Sequence, residues 1–427
     1  MTMFDSSERR RVALKSVFED YDGSPFSIRF WDGWHWSVSS GAAPVCRIVL
    51  RNPKSLQILL GAPNEISLGE AFIRCDLDVE GDLFSVFSIA DHILSRQENL
   101  QVRIARKLTH AAFGLRRWVA SGAQHSQARD RAAISYHYDQ PVEFFRPWLG
   151  NSLAYSCAYF RSPEDPLDLA QEHKLALICQ KLRLRPGERF LDIGCGWGTL
   201  PLCAAHHYGA NALGITLSRE QYEEARRRID ISRLGDRCDV ALCDYRQLNR
   251  PPNTFDKIAS VGMFEHVGLG NLREYFRAVR AWLKPGGVFL NHGIARAHDS
   301  PPRGDSFIDR YVFPDGQLVT LSQAMQAAEA EGLEIRDVEN LREHYELTLR
   351  KWVAALQENA TKLLRYVSEE TYRTWLLYMS GSAAAFHRGS IAVYQVLFSR
   401  ADKGISDLPL TREDWYVGDP AKERLQV

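Results

Sequence analysis

The segment Phe190-Leu-Asp-Ile-Gly-Cys-Gly-Trp-Gly198 constrains this chain more than any other. Residues 189–193 read as a short buried strand. The chain then enters three glycines at alternate positions, and Leu200, Leu202, Ala204 and Ala205 follow as the apolar residues of a helix. Strand, glycine turn and helix in that order build a nucleotide-binding corner. Gly194 and Gly196 allow a sharp turn and a close backbone approach that a Cβ would block. The start of the helix presents backbone N–H groups to a polar ligand.

Downstream, apolar runs and amphipathic stretches alternate. Their pattern predicts a helix over 198–208, a strand over 212–215, a helix over 219–231 and strands over 238–242 and 255–260. A helix over 272–283 and a strand over 288–292 come next, with Lys284-Pro-Gly-Gly287 as a helix stop and turn between them. A helix over 322–331, a strand over 333–340, a helical region over 344–380 and a strand over 391–399 complete the pattern. Such alternation implies a parallel sheet with helices on both faces. Ligands then sit beyond the carboxyl ends of the strands, at the point where strand order reverses. That edge collects Gly194, Thr216, Asp244, Glu265 and His292.

The residues before this domain differ in character. Residues 1–95 read as a small α+β unit, with strand-type runs at Ser27-Ile-Arg-Phe-Trp31 and Val45-Cys-Arg-Ile-Val-Leu50 and helical segments over 55–60 and 83–94. Asp76, Asp78 and Glu80 alternate with apolar neighbours, as on a solvated strand face followed by a helix cap. Their spacing does not close a calcium loop. Over 96–131, Leu100, Ile104, Leu108, Ala111, Leu115 and Val119 recur at helical spacing among Arg96, Arg103, Arg106, Lys107, Arg116 and Arg117. A basic helical linker of this kind suits an anionic membrane surface or the wet face of a packed helix. The catalytic domain is placed at 132–400 and a polar C-terminal tail, with Trp415 and Tyr416, at 401–427.

Composition narrows the function classes. Lys plus Arg and Asp plus Glu both number 53, so no whole-protein field points to nucleic acid. No apolar run approaches the length that spans a bilayer, and the N-terminus lacks a signal-type apolar core. Eight cysteines without a CxxC pair read as reduced cytoplasmic thiols, with no metal or disulfide framework.

The corner itself discriminates between cofactors. A dinucleotide site wants an acidic residue at the end of the second strand to hold the ribose, but this chain has Thr216-Leu-Ser-Arg-Glu-Gln221 there. Asp192, just before the glycines, suits the positive amino group of S-adenosylmethionine. Cys243-Asp-Tyr245 after the next strand suits the adenine, with the Tyr245 ring stacking on it.

With these residues in place, the chain resembles the cyclopropane-fatty-acyl-phospholipid synthases and the related mycolic acid cyclopropane synthases. The resemblance is carried by Tyr155-Ser-Cys-Ala-Tyr-Phe160, Leu191–Gly198, Gly214-Ile-Thr-Leu-Ser218 with Gln221, Met263-Phe-Glu-His-Val-Gly268 and Tyr394-Gln-Val-Leu-Phe-Ser-Arg400. It spans roughly residues 45–400, and 68–82 look like the extra N-terminal domain of the phospholipid enzymes. The implied fold is α/β. It is a class I S-adenosylmethionine methyltransferase (Rossmann-like) sheet with helical lipid-binding insertions, plus the small N-terminal domain.

The implied chemistry moves the methyl of S-adenosylmethionine onto a cis double bond of a phospholipid acyl chain. Loss of a proton then closes a cyclopropane ring. By this resemblance bicarbonate is the base, held by Cys157, Glu265, His292, the backbone of Ile294 and Tyr345, while Tyr155, Ser156, Asp192, Gly194, Gly196, Thr216, Leu217, Gln221, Asp244 and Tyr245 meet the cofactor. Gln221 takes the ribose role of the missing acid. Two negative charges repel, so Glu265 is expected to orient a neighbouring group rather than face the anion bare. Cys157 is expected to position, and His266 to be structural. Tyr159, Phe160, Tyr311 and Phe313 are the aromatic candidates for shielding a carbocation. Where some relatives carry a cysteine, this chain has Ser382, which excludes a thiol nucleophile there.

The resemblance further implies a cytoplasmic enzyme, peripheral at the inner membrane surface, with phospholipid acyl chains as partners and a homodimeric state. The alternatives are a lipid C-methyltransferase giving a methyl- or methylene-branched chain, and a non-catalytic lipid-binding protein.

Overall fold

The computed structural model describes residues 7–38, 42–61, 63–95, 140–297, 306–313, 316–406 and 408–416. The basic stretch over 96–131, and with it the expected linker helix, lies outside the described residues. The chain packs into two units. One takes residues 1–122, 304–312 and 367–384, and the other takes 123–303, 313–366 and 385–427. This division differs from the consecutive blocks expected from sequence, because two late segments belong with the N-terminal unit.

The N-terminal unit is the expected mixed α+β fold. Its strands β1 (Phe26–Arg29), β2 (His35–Ser37), β3 (Cys46–Leu50) and β4 (Leu77–Gly81) form a sheet in the order β2-β1-β3-β4. The acidic residues of β4 are paired rather than simply solvated. Asp78 meets Arg51 at 2.9 Å and Arg373 at 3.2 Å, and Glu80 lies 3.0 Å from Arg47. Asp82 then caps the helix Ser85–Ser95 by accepting from the Phe84 and Ser85 N–H groups. Arg373 explains why 367–384 belongs here. Its guanidinium donates to the Phe72 and Leu77 carbonyls and lies 4.1 Å from the Phe72 ring centre.

The second unit holds seven strands: β5 (Arg189–Ile193), β6 (Asn211–Thr216), β7 (Cys238–Leu242), β8 (Phe255–Val261), β9 (Leu283–Arg296), β10 (Glu334–Asn340) and β11 (Ile391–Ser399). The sheet order is β10-β11-β9-β8-β5-β6-β7. Strands β5 to β9 pair in parallel, and β11 is antiparallel to both β9 and β10. The chain runs outward from β5 through β6 to β7 and then returns to β8, so order reverses between β5 and β8. The helix before β9 stops at Trp282, as expected, but the turn expected at Lys284-Pro-Gly-Gly287 is replaced by strand. Strand β9 starts at Leu283 and runs through these residues, and the irregularity is absorbed as a register shift against β8.

The period-2 alternation of β5 divides the core. Phe190 faces a cluster built with the helices Leu167–Leu182 and Thr199–Tyr208, while Leu191 and Ile193 face one built with Leu272–Trp282 and Leu321–Ala330. Asp192 shares the Phe190 side by the same alternation, so it is directed toward the helix Leu167–Leu182. Strand spacing alone therefore places a carboxylate under the glycine turn.

Candidate functional site

The carboxyl ends of β5, β6 and β8 open onto a cavity of about 130 Å³. Tyr155, Ser156, Asp192, Gly194, Gly196, Thr216, Leu217, Gln221, Asp244 and Tyr245 all line it. Gly194 shows why the glycine turn is needed. Its φ is +82°, and a Cβ there would come within 2.8 Å of the Met263 Cβ. No side chain caps the helix Thr199–Tyr208 at Gly198.

Where an acid was expected for a ribose, at the end of β6, two neutral side chains meet. Ser218 caps the helix Arg219–Ile231 through the Gln221 N–H, which draws Gln221 back to the end of β6. There the Thr216 hydroxyl donates to Gln221 Oε1 at 2.8 Å. Asp244 is buried and clamped by Arg246, whose Nη2 lies 2.7 Å from Oδ2 and whose Nε lies 3.0 Å from Oδ1. Arg246 also lines the cavity, 5.5 Å from the Tyr245 ring centre. Sequence reasoning missed it, although it follows Asp244 and Tyr245 directly.

A larger omission is the helix Leu167–Leu182, which carries the buried polar residues Gln171, Lys174 and Lys181. Gln171 Nε2 donates to the Ala154 and Ser156 carbonyls, and Lys174 Nζ donates to Ser156 Oγ at 2.9 Å. Together they hold the Tyr155-Ser-Cys loop over the cavity. Lys174 is only 3 % exposed and its charge acts on Asp192, Cys157 and His292. Burial pushes the Asp192 carboxyl up to about 7 and the Lys174 ammonium down to about 8, while each charge partly offsets the burial of the other. Among the described residues, Asp192 Oδ1 is buried without a hydrogen-bond partner, and it suits an ammonium group. Lys174 and Lys181 lie seven residues apart, two turns along one helix face. Two lysines on such a face among Leu175, Ile178 and Leu182 were the available signal.

The pair Asp192 and Lys174 sets a pH dependence for cofactor binding. Below about 7 the carboxyl is protonated and must lose its proton before it can pair with the cofactor's ammonium. Affinity therefore rises through about pH 7, and loss of the Lys174 proton above about 8 removes a like charge and does not reverse the trend. Titration calorimetry is expected to show S-adenosylmethionine binding up to about tenfold weaker per pH unit below 7, and Asp192→Asn is expected to flatten the profile. A wild-type profile already flat between about pH 6 and 8 would remove Asp192 from this role.

The five residues expected at the reacting end do not line this cavity. The Ile294 N–H donates to Glu265 Oε1 at 2.7 Å. The N–H expected to hold the anion donates to the Glu265 carboxylate here. Glu265 keeps some exposure as a residue, yet its Oε2 is wholly buried and has no partner among the described residues. Burial lifts its carboxyl to about 7.

His292, two residues before Ile294 on β9, points to the same side of the strand. Its Nδ1 is 3.1 Å from Gln395 Nε2, and its Nε2 is buried without a partner among the described residues. Burial, helped by the charges of Lys174 and Lys181, holds its pKa near about 3. The ring is therefore neutral.

Cys157 is fully buried, with Sγ 3.3 Å from the Ala158 carbonyl and 3.8 Å from that of Leu341. Burial drives its thiol far above the ordinary range, so it is no thiolate nucleophile. Leu341 precedes the helix Arg342–Glu358, which carries Tyr345. The Tyr345 ring packs 4.7 Å from Phe386 and 6.1 Å from Trp352, and Trp352 packs 5.3 Å from Tyr155. Tyr155, Trp352, Tyr345 and Phe386 thus form one run of ring contacts that starts at the cavity lining.

The aromatic candidates from sequence lie elsewhere. Tyr159 stacks on His344 at 4.8 Å, and Phe160 packs with Ala158 and Ala170. Tyr311 belongs to the other unit and donates to Glu70. Phe313 packs against His266 at 5.4 Å, and His266 itself lines the cavity, which the structural reading of that residue did not foresee.

Comparison with known proteins matches residues 125–396 to a family described as mycolic acid cyclopropane synthetase, and residues 13–98 to a domain of unknown function. A probable fatty acid methyltransferase of Pseudomonas putida is 40% identical over 92% of this chain and 96% of its own length. The cyclopropane-fatty-acyl-phospholipid synthase of Escherichia coli is 34% identical over 84% of this chain and 89% of its own. Among solved structures, the mycolic acid cyclopropane synthase CmaA1 complexed with SAH and CTAB aligns with a TM-score of 0.59 and 33% identity. The alignment covers 63% of this chain and 97% of that one.

Proposed function

The chain belongs to the mycolic acid cyclopropane synthetase family and is an S-adenosylmethionine-dependent methyltransferase. From that premise we propose that it methylates the cis double bond of an unsaturated phospholipid acyl chain and closes a cyclopropane ring, with bicarbonate assisting proton loss. The observation that carries this reading is the pair of orphaned buried atoms, Glu265 Oε2 and His292 Nε2. One can accept a hydrogen bond and the other can donate one. A small anion with one O–H and free oxygens has the matching complement. When bound, bicarbonate supplies the base that removes the proton from the methylated chain.

The chain's own residues do the rest. The neutral His292 donates from Nε2, and Glu265, oriented by the Ile294 N–H, accepts through Oε2. Cys157 shapes the floor as a neutral thiol. A carbocation survives only where no nucleophile traps it, and Tyr155, which lines the cavity and is backed by the buried Trp352, supplies an aromatic ring whose face can attract positive charge.

The substrate arm of the proposal places the protein at the cytoplasmic membrane surface, as a homodimer. No helix among the described residues is long and apolar enough to cross a membrane. Neutralising Arg103, Arg106 and Lys107 is expected to weaken binding to anionic vesicles by roughly 1 kcal/mol per charge. Unchanged flotation with vesicles would return that stretch to a packed linker.

The deciding assay incubates the protein with S-adenosylmethionine and vesicles of unsaturated phospholipid, then reads the fatty esters by mass. A gain of one CH₂ per chain supports the reading. No gain with any phospholipid sinks it. The P. putida relative's name, a probable fatty acid methyltransferase, fits equally a second reading, C-methylation to a methylene-branched chain. Hydrogenation separates the two, because a methylene branch takes up hydrogen under mild conditions that spare a ring.

A further inference from the structure

The antiparallel register of β9 and β11 sets Gln395 directly opposite His292. Gln395 is 1 % exposed and bonded on both sides. Its Oε1 is 2.8 Å from Lys181 Nζ, and its Nε2 is 3.1 Å from His292 Nδ1. An ammonium group only donates, so the amide oxygen must face Lys181 and the amide nitrogen must face the imidazole. An amide NH₂ in turn only donates, so Nδ1 of His292 must be bare. A neutral imidazole carries one proton, which then resides on Nε2. Neutrality follows from the setting: the ring is buried and feels the positive charges of Lys174 and Lys181.

We infer that Gln395, oriented by the buried Lys181, fixes the Nε2–H tautomer of His292 and thereby makes the ring a hydrogen-bond donor at the reacting end. Gln395 is a positioning residue, and Lys181 positions it in turn. This rests on the reading of that end as a site for a small anion.

The arrangement behind Lys181 supports a dedicated role. The lysine is 1 % exposed, ion-paired with Glu339, 3.9 Å from Asp337, and capped by the Trp415 ring at 5.6 Å. A lysine whose only role was to pair with Glu339 could do so from the surface at far lower desolvation cost. Here one donor reaches inward to a glutamine whose other end meets a predicted site residue. The C-terminal segment contributes as well: Asp414 pairs with Arg183 at 2.8 Å, and Arg412 pairs with Asp337 at 3.0 Å. Trp415 thereby closes the outer end of the chain of bonds that leads to His292.

The test is nuclear magnetic resonance of the full-length protein labelled with ¹⁵N-histidine, in which long-range proton–nitrogen correlations tell which ring nitrogen carries hydrogen. The His292 signal is identified by its loss in His292→Asn. The wild type is expected to show the proton on Nε2 and a bare Nδ1. Gln395→Glu offers Nδ1 only acceptors, so that nitrogen is expected to gain a proton. Gln395→Met, close in length but without a donor, is expected to lower turnover by about 10- to 100-fold, with S-adenosylmethionine affinity and melting temperature held near wild type. A wild-type proton on Nδ1, a Gln395→Glu protein with Nδ1 still bare, or a Gln395→Met enzyme at full turnover would each overturn the inference. If neither variant folds, the wild-type spectrum alone decides. Turnover indifferent to bicarbonate in CO₂-depleted buffer, with the Nε2–H tautomer in place, would instead count against the anion reading.

Discussion

Glu265→Gln is expected to lower turnover by about 100- to 1,000-fold while leaving S-adenosylmethionine affinity within about threefold of wild type. The substitution keeps the shape and an oxygen that can still accept from the Ile294 N–H. It converts the buried Oε2 into an NH₂ that can only donate, so it presents a donor where the site needs an acceptor. The acidic group is lost as well, and with it a carboxyl whose pKa of about 7 lets it exist in either protonation state near neutrality. Glu265 does not line the cofactor cavity, so the loss belongs to the reaction. Single-turnover rates and titration calorimetry on the same preparation separate the two quantities. Equal losses in both would place Glu265 with the cofactor instead.

Gly194→Ala is expected to weaken S-adenosylmethionine binding by about 100-fold, or about 2.7 kcal/mol. Two independent penalties combine. The backbone at Gly194 has φ +82°, where a residue with a Cβ is strained by about 1–3 kcal/mol. The added methyl would also lie 2.8 Å from the Met263 Cβ, which is anchored to the backbone and cannot swing aside. Relief requires the turn after β5 or the Met263 segment to move, and both line the cavity. Gly196→Ala is the control. It too has a positive φ, +54°, but nothing lies within 4 Å of its added carbon, so only the milder backbone penalty of roughly 1 kcal/mol applies. Equal effects from the two substitutions would show that the Met263 contact is irrelevant. Wild-type affinity for Gly194→Ala would remove the close approach from the account.

The cofactor corner was largely legible beforehand because its signals are local. A strand, a glycine turn and a helix start are adjacent in sequence, and each demands particular residue types at particular φ values. All ten expected cofactor residues lie around one cavity, but the local signals carry only the turn from Asp192 to Gly196, Thr216 at the end of its strand, and Asp244 with Tyr245; Tyr155, Ser156, Leu217 and Gln221 came through the resemblance. The reacting end was reached through the resemblance alone. Cys157, Glu265, His292 and Tyr345 stand far apart in the chain and on unrelated elements. Nothing periodic links them, and the hydrogen bond from the Ile294 N–H to Glu265 is visible only in the structure.

Amphipathic period and glycine placement are properties of neighbouring residues, and so the sequence by itself determined the alternating sheet, the cofactor corner and the side of β5 on which Asp192 lies. Only the tertiary structure could show that Lys174 and Lys181 are buried, because their spacing marks a shared face among apolar residues but packing decides whether that face meets solvent or a sheet. Its register also brought Gln395 opposite His292 across 103 residues. Hydrogen-bond direction between such partners follows from donor and acceptor chemistry, but the partners themselves are chosen by strand pairing, which depends on how the whole sheet closes.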